Sequence, residues 1–335
     1  VRAEAAWALG VIGEPRAVKG LCAALEDPQP EVRALVISAL VEIGTPSVRP
    51  LCELLRDART AARPGVAEAL TRLGPKAVPD LIRLLTLPVW EVRRLAVVLL
   101  SRIGDRRAVP ALIGRLADES PWVRGEAAEA LGWIGDAEAS GPLTRALSDE
   151  SEFVRLRAVP ALGIVARWKC VEPFLPLLND PSAAVREAAA VELGRQGSAQ
   201  AILPLVRVLE AGVGAAAVEA LAEIAARDPA PELRAALPVL RRLAPAQYAG
   251  DEHLYRSTIA RIEQVTAKWQ HLPTPAGRPA EHRDLPAPAG APGEQGPLTV
   301  DDELELRAKS AVLTTPEETW KQRAARYVGR KLRGE

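Results

Sequence analysis

The sequence predicts an all-α chain, an α-solenoid of stacked antiparallel helix pairs. Three observations predict it. A Val-Arg pair recurs at Val1-Arg2, Val32-Arg33, Val92-Arg93, Val123-Arg124, Val154-Arg155 and Val185-Arg186, with Ala62-Arg63 in the third place, in steps of 30 or 31 residues. A fixed period of that length marks a repeat array. Apolar residues follow each pair at helical spacing, as Leu9 and Ile12, Leu40 and Ile43, and Leu131 and Ile134 do. A glycine then closes each helix.

Each element follows from those marks. The first helix of a copy is the Val-Arg helix, ended by Gly13, Gly44, Gly74, Gly104 or Gly135, the residue suited to the left-handed position past a helix end. A second, shorter apolar pattern follows, as in "VPALIGRLAD" and "VEPFLPLLND". Pro79, Pro110, Pro173 and Pro204 stand near its start, where a missing N–H costs little. One such hairpin cannot bury its own apolar face; stacked copies can. A weaker copy begins at Val213, and "PELRAALPVLRRL" is a last echo. The array is thus expected over residues 1–245, with a capping helix at 246–271 whose stripe is Leu254, Ile259, Ile262, Val265 and Trp269. Residues 272–300, rich in Pro, Ala and Gly, read as a flexible linker. Residues 301–335 read as a charged tail ending in a basic amphipathic helix. Thr315 caps it, and Trp320, Tyr327 and Leu332 offer an apolar docking side.

Composition narrows the chemistry. Hydrophobic residues make up 48% of the chain and aromatics only 4%, so the core is built from Ala, Leu, Val and Ile. Lys plus Arg equals Asp plus Glu at 43 each, which removes the overall field that draws a chain to nucleic acid; no nucleic-acid partner is expected. A membrane surface is expected only through the C-terminal basic helix. Three cysteines, Cys22, Cys52 and Cys170, fit small buried residues of a reducing compartment, and a cytoplasmic location is expected. No signal peptide is visible, but the chain opens on Val1 without methionine, which suggests a truncated N-terminus, so that absence carries little weight. No Cys or His cluster has zinc spacing, no Ser or Cys has a base cued beside it, and no phosphate loop ends in Lys-Ser or Lys-Thr. No catalytic, metal or cofactor residue is expected. Pro160, inside "VRLRAVPALGIVARW", is expected to kink its helix.

The recurring "VR-x-x-A-x-x-A-L-x-x-I-G" and the turn "D-P-x-x-x-V-R", as in "DPSAAVR" and "DPQPEVR", resemble HEAT-type repeats, above all the short bacterial subtype named after phycobilisome lyases. The resemblance implies a right-handed superhelix with the Val-Arg helices on its concave side. It also implies a structural ladder between turn Asp residues and the Arg residues six positions on: Asp27 with Arg33, Asp57 with Arg63, Asp118 with Arg124, Asp149 with Arg155 and Asp180 with Arg186. Leu87 replaces Asp in the fourth copy, so a gap is expected at Arg93. On the concave side, positions 3, 6 and 10 after each Val should face outward. They give Glu4, Trp7, Leu35, Glu42, Glu68, Arg72, Leu95, Arg102, Glu126, Glu129, Trp133, Arg157 and Arg195 as a protein-binding strip. Trp90, Trp122 and Phe153 fall on the turn edge and are expected to cover the ends of the core. The resulting expectation is a non-enzymatic scaffold that binds a protein or peptide. The alternative is a bilin lyase-like enzyme or enzyme subunit acting on a pigment-carrying protein. The iron-binding HEAT-like hydroxylases use His-Glu pairs, and this chain has no His-Glu dipeptide.

Overall fold

The computed structural model describes residues 1–56, 61–166, 171–209, 214–243 and 252–267. The chain divides into two units, Val1–Arg278 and Pro279–Glu335. All described residues belong to the first. Asp57, Cys170, Trp269, the linker and the tail with Trp320, Tyr327 and Leu332 lie outside the described residues.

Among the described residues every regular element is a helix. The copies run α1 (Arg2–Ile12) and α2 (Val18–Ala23), α3 (Pro30–Ile43) and α4 (Thr45–Arg56), α5 (Arg63–Leu73) and α6 (Val78–Leu84), α7 (Trp90–Ile103) and α8 (Val109–Arg115), then α9 (Pro121–Ile134) and α10 (Ser140–Ala146). The sixth copy has α11 (Glu152–Val165) and, in place of a second α-helix, a 3-10 turn at Pro176–Asn179. Pro173 and Pro176 remove two N–H donors three residues apart, so the expected helix does not propagate. The array continues with α12 (Ala183–Gln196), α13 (Ile202–Leu209), α14 (Gly214–Arg227) and α15 (Ala236–Leu243). Finally α16 (Glu252–Thr266) packs on α14 and α15 with Tyr255, Thr258, Ile262 and Thr266 buried. Leu254, Ile259 and Val265, expected to lead that stripe, are half-buried beside it.

Two layers result. The Val-Arg helices stack on one another, α1 on α3 through α12 on α14, and each second helix packs against the next Val-Arg helix. One continuous core of Leu, Val, Ile and Ala fills the space between. Cys22 and Cys52 are free thiols within it, and burial pushes their pKa values up to about 11 and about 12, so neither is a nucleophile at neutral pH.

Small residues let the Val-Arg helices approach. A Cβ built on Gly132 would lie 2.7 Å from both Cα and Cβ of Ala161, and one on Gly10 would lie 2.7 Å from Cα of Ala39. Gly194 meets Ala220 in the same way, at 2.6 Å. At the helix ends, Gly135 has φ 70 and ψ 25, and its N–H closes the helix on the Leu131 carbonyl. α11 continues through Pro160 as one helical segment.

The ladder runs in a different register from the expected one. Each of the four described turn Asp residues gives its carboxylate to the Arg of the preceding copy, not to the Arg six residues on. Arg2 donates to Asp27, Arg93 to Asp118, Arg124 to Asp149 and Arg155 to Asp180, each across 25 residues of sequence. The Arg six residues on binds the backbone instead: Arg124 donates to the carbonyl of Asp118 at 3.0 Å, Arg155 to that of Asp149 at 2.8 Å, Arg186 to that of Asp180 at 2.8 Å and Arg33 to that of Asp27 at 2.7 Å. The gap expected at Arg93 is therefore absent. Arg93 takes Asp118 through two bonds of 2.8 and 2.7 Å, and donates to the carbonyls of Leu87 and Pro88 at 2.9 Å. Leu87 keeps the carbonyl role and lacks only the carboxylate, which this register would have sent back to Arg63.

Candidate functional site

The exposed side of the Val-Arg layer carries the residues singled out as a binding strip. Glu4, Trp7, Glu42, Glu68, Arg72, Arg102, Trp133 and Arg195 are exposed; Leu35, Leu95, Glu126, Glu129 and Arg157 are half-buried. Their spacing along each helix brings copies into register side by side, and several touch. Arg72 donates to the Ser38 hydroxyl at 3.3 and 3.4 Å and lies 3.8 Å from Glu68. Arg94, outside the expected strip, reaches Glu126 at 3.3 Å.

The most organised part lies on α9 and α11, the Val-Arg neighbours with the broadest mutual contact. Trp133 donates its indole N–H to Glu129 at 3.4 Å, and Arg157 donates to the other oxygen of the same carboxylate. The Arg157 guanidinium sits 5.1 Å from the centroid of the Phe153 ring, which packs tilted on Trp122 with centroids 4.7 Å apart. Gly125 makes this possible: a Cβ there would meet the Phe153 ring at 2.3 Å. Indole, carboxylate, guanidinium, phenyl and indole thus form one chain running from the outward face to the turn edge. Trp122 is 51% exposed and Trp133 45% exposed. The turn-edge aromatics were expected to cover core ends; Phe153 does so in part, whereas Trp122 stands largely in solvent.

One buried group was not foreseen. Glu192, 4% exposed, occupies the position held by Ala39, Ala69, Leu99, Ala130, Ala161 and Ala220 in other copies. Gly163 opens the space, since a Cβ there would lie 2.1 Å from a Glu192 oxygen. Burial raises the Glu192 pKa, opposed by Arg195 and by the Gln196 amide, which donates at 2.8 Å, and assisted by Glu223. The sequence signal was available: Gly at 163 and the residue 29 positions on repeat the Gly10/Ala39 and Gly132/Ala161 spacing, with a carboxylate in the place of Ala.

Among the described residues, no group of three or more Cys, His, Asp and Glu side chains is placed to hold a metal ion. No helix among them is long and apolar enough to cross a membrane.

A family model of HEAT repeats matches residues 1–70, 48–120, 109–167, 141–222 and 171–247. The chain belongs to the HEAT-repeat family. No match was found among curated protein sequences. Among solved structures, the HEAT-repeat chain is similar to YibA of E. coli, with 20% identity and TM-score 0.52 over 73% of this chain and 92% of that one. A chain from the complex of Kap95p with RanGDP aligns at 14% identity and TM-score 0.57, over 75% of this chain and 42% of that one. The CpcE–CpcF complex of phycocyanin lyase from Nostoc aligns at 21% identity and TM-score 0.35, over 73% and 94%. HEAT arrays are commonly protein-binding scaffolds.

Proposed function

We propose that the exposed side of the Val-Arg layer is a docking surface for a protein or peptide, and that the chain works as a non-enzymatic scaffold. The observation that supports this reading is the chain of side chains from Trp133 through Glu129, Arg157 and Phe153 to Trp122. Its polar members are already bonded to one another, so little side-chain freedom remains to be lost on binding. Its two exposed indoles are the residue type that most often anchors an interface. A chain from the complex in which Kap95p binds RanGDP shares the fold.

Panning a phage-displayed peptide library on the full chain tests this. Selected peptides should bind the Trp122→Ala/Trp133→Ala double variant at least tenfold more weakly, with far-ultraviolet circular dichroism unchanged. Peptides that bind the double variant as tightly as the parent would place docking elsewhere. The same expectation holds for a natural partner.

A further inference from the structure

A second feature of the same layer lies between its first two Val-Arg helices. Between α1 and α3 a groove of about 450 Å³ is lined by Trp7, Gly10, Leu35, Ser38, Ala39 and Glu42, with Val11 and Gly13 at its end. Gly10 and Ala39 meet within it, and a Cβ on Gly10 would lie 2.7 Å from the Ala39 Cα. The Trp7 indole, 61% exposed, forms one wall, and Leu35 adds an aliphatic contact. Two polar groups line the groove. The Ser38 hydroxyl is engaged by Arg72, whose charge is offset by Glu68. The Glu42 carboxylate is exposed and has no ion-pair partner within 4.0 Å among the described residues.

The α9–α11 strip shows what such a set of groups holds. There a carboxylate beside an indole, Glu129 with Trp133, takes the guanidinium of Arg157, and an aromatic ring lies 5.1 Å from that guanidinium carbon. Arg157 stands three residues after Val154, and the residue three after Val32 is Leu35. In the N-terminal copies Leu35 takes the place of Arg157, Trp7 takes the place of Glu129, and the carboxylate, Glu42, stands where α11 has Ile164, so the groove is lined by an indole and a carboxylate on facing helices with no cation among its lining residues.

From this geometry we infer that the groove binds an arginine or lysine side chain of the docked peptide, next to an apolar residue. The cation lies against Trp7 and pairs with Glu42, while the neighbouring aliphatic group rests on Leu35 and Ala39. Cation–π attraction and a charge-assisted hydrogen bond act together there on one incoming group. The inference rests on the docking reading above and names the chemistry of one contact within it.

The test uses the full chain with its tryptophans labelled at the indole nitrogen, the Trp7 resonance being assigned from Trp7→Phe. The probe is the capped peptide acetyl-Leu-Arg-Leu-amide, and its control carries citrulline in place of Arg, which keeps the shape and removes the charge. Saturable movement of the Trp7 resonance with the Arg peptide is expected, in the millimolar range that two contacts allow. It should weaken at least tenfold with the citrulline peptide or in Glu42→Gln, and fall as salt screens the pair. Equal binding of both peptides, unchanged binding by Glu42→Gln, or absence of a saturable shift would overturn the assignment. Because Glu42 and Trp7 are exposed, their variants keep the core intact. Panned peptides that still depend on Trp122 and Trp133 would leave the docking reading standing when the groove assignment fails.

Discussion

Asp118 shows how one carboxylate is used in this fold. Its side chain is 1% exposed and that of Arg93 is 5% exposed. It accepts two bonds from Arg93 and one from the Ser120 N–H at 3.0 Å, so it also shapes the turn into α9. Burial alone would raise its pKa, but Arg93, the Ser120 N–H and Arg115 outweigh burial and hold it below the ordinary carboxylate value. A lowered folded pKa adds stability that is present above the unfolded pKa and is lost as pH falls through the folded one. Asp118→Ala leaves the buried Arg93 guanidinium with Glu119 and the Leu87 and Pro88 carbonyls alone, and denaturant unfolding at neutral pH should show a loss of about 3 kcal/mol, the low end for a broken buried pair. Asp27→Ala should cost far less in the same measurement, because its partner Arg2 is 63% exposed. Glu192 has the opposite sign. Its folded pKa is raised by burial, against Arg195 and Gln196 and with Glu223. Its protonated form is the stable one, and stability is lost as pH rises through the folded pKa. Glu192→Gln should therefore melt above the parent near pH 8, with the difference closing at about pH 4, where an ordinary Glu is itself largely protonated. A constant difference across that range would contradict the burial cause.

At the scale of the helix, spacing between layers is set by glycine and alanine. Gly132→Ala drives a methyl into the backbone of Ala161 at 2.7 Å, and α9 and α11 cannot separate without disturbing the strip they carry. A loss of about 1–3 kcal/mol is expected from overpacking. Gly114, also helical, has nothing within 4 Å of an added Cβ, so Gly114→Ala should gain up to about 1 kcal/mol from helix propensity alone. Thermal melts of the two variants should move in opposite directions. The Val-Arg helices, their closing glycines and most of the second helices were legible in the sequence because each depends on local chemistry, whereas the second helix expected at "VEPFLPLLND" is a 3-10 turn, broken by Pro173 and Pro176. The ladder's register was not legible. Asp118 and Arg124 are neighbours in sequence, while Arg93 and Asp118 meet only once copies stack, and six-residue spacing cannot report that rotation. Exposure of Trp7 and Trp133 followed from position in the copy. The bonding of Glu129 to both Trp133 and Arg157 required knowing how far adjacent helices are offset.

Across the array, stability is shared between neighbours. α9 and α11 have the broadest contact in the Val-Arg layer, reinforced by the Arg124–Asp149 pair at 2.8 Å. α5 and α7 have the narrowest, and Leu87 brings no carboxylate to that joint. Native-state hydrogen exchange should be slowest in α9 and α11 and faster in the amides facing the α5–α7 joint; uniform protection along the array would contradict a nearest-neighbour account. The ladder also gives four of the described joints a polarity: in each of these pairs the guanidinium comes from the earlier copy and the carboxylate from the later one. A backbone severed at Ala137–Ala139 would leave Arg124 on one fragment and Asp149 on the other. The two broken ends are then a plug and a socket of opposite charge, able to rejoin head to tail and unable to rejoin like to like.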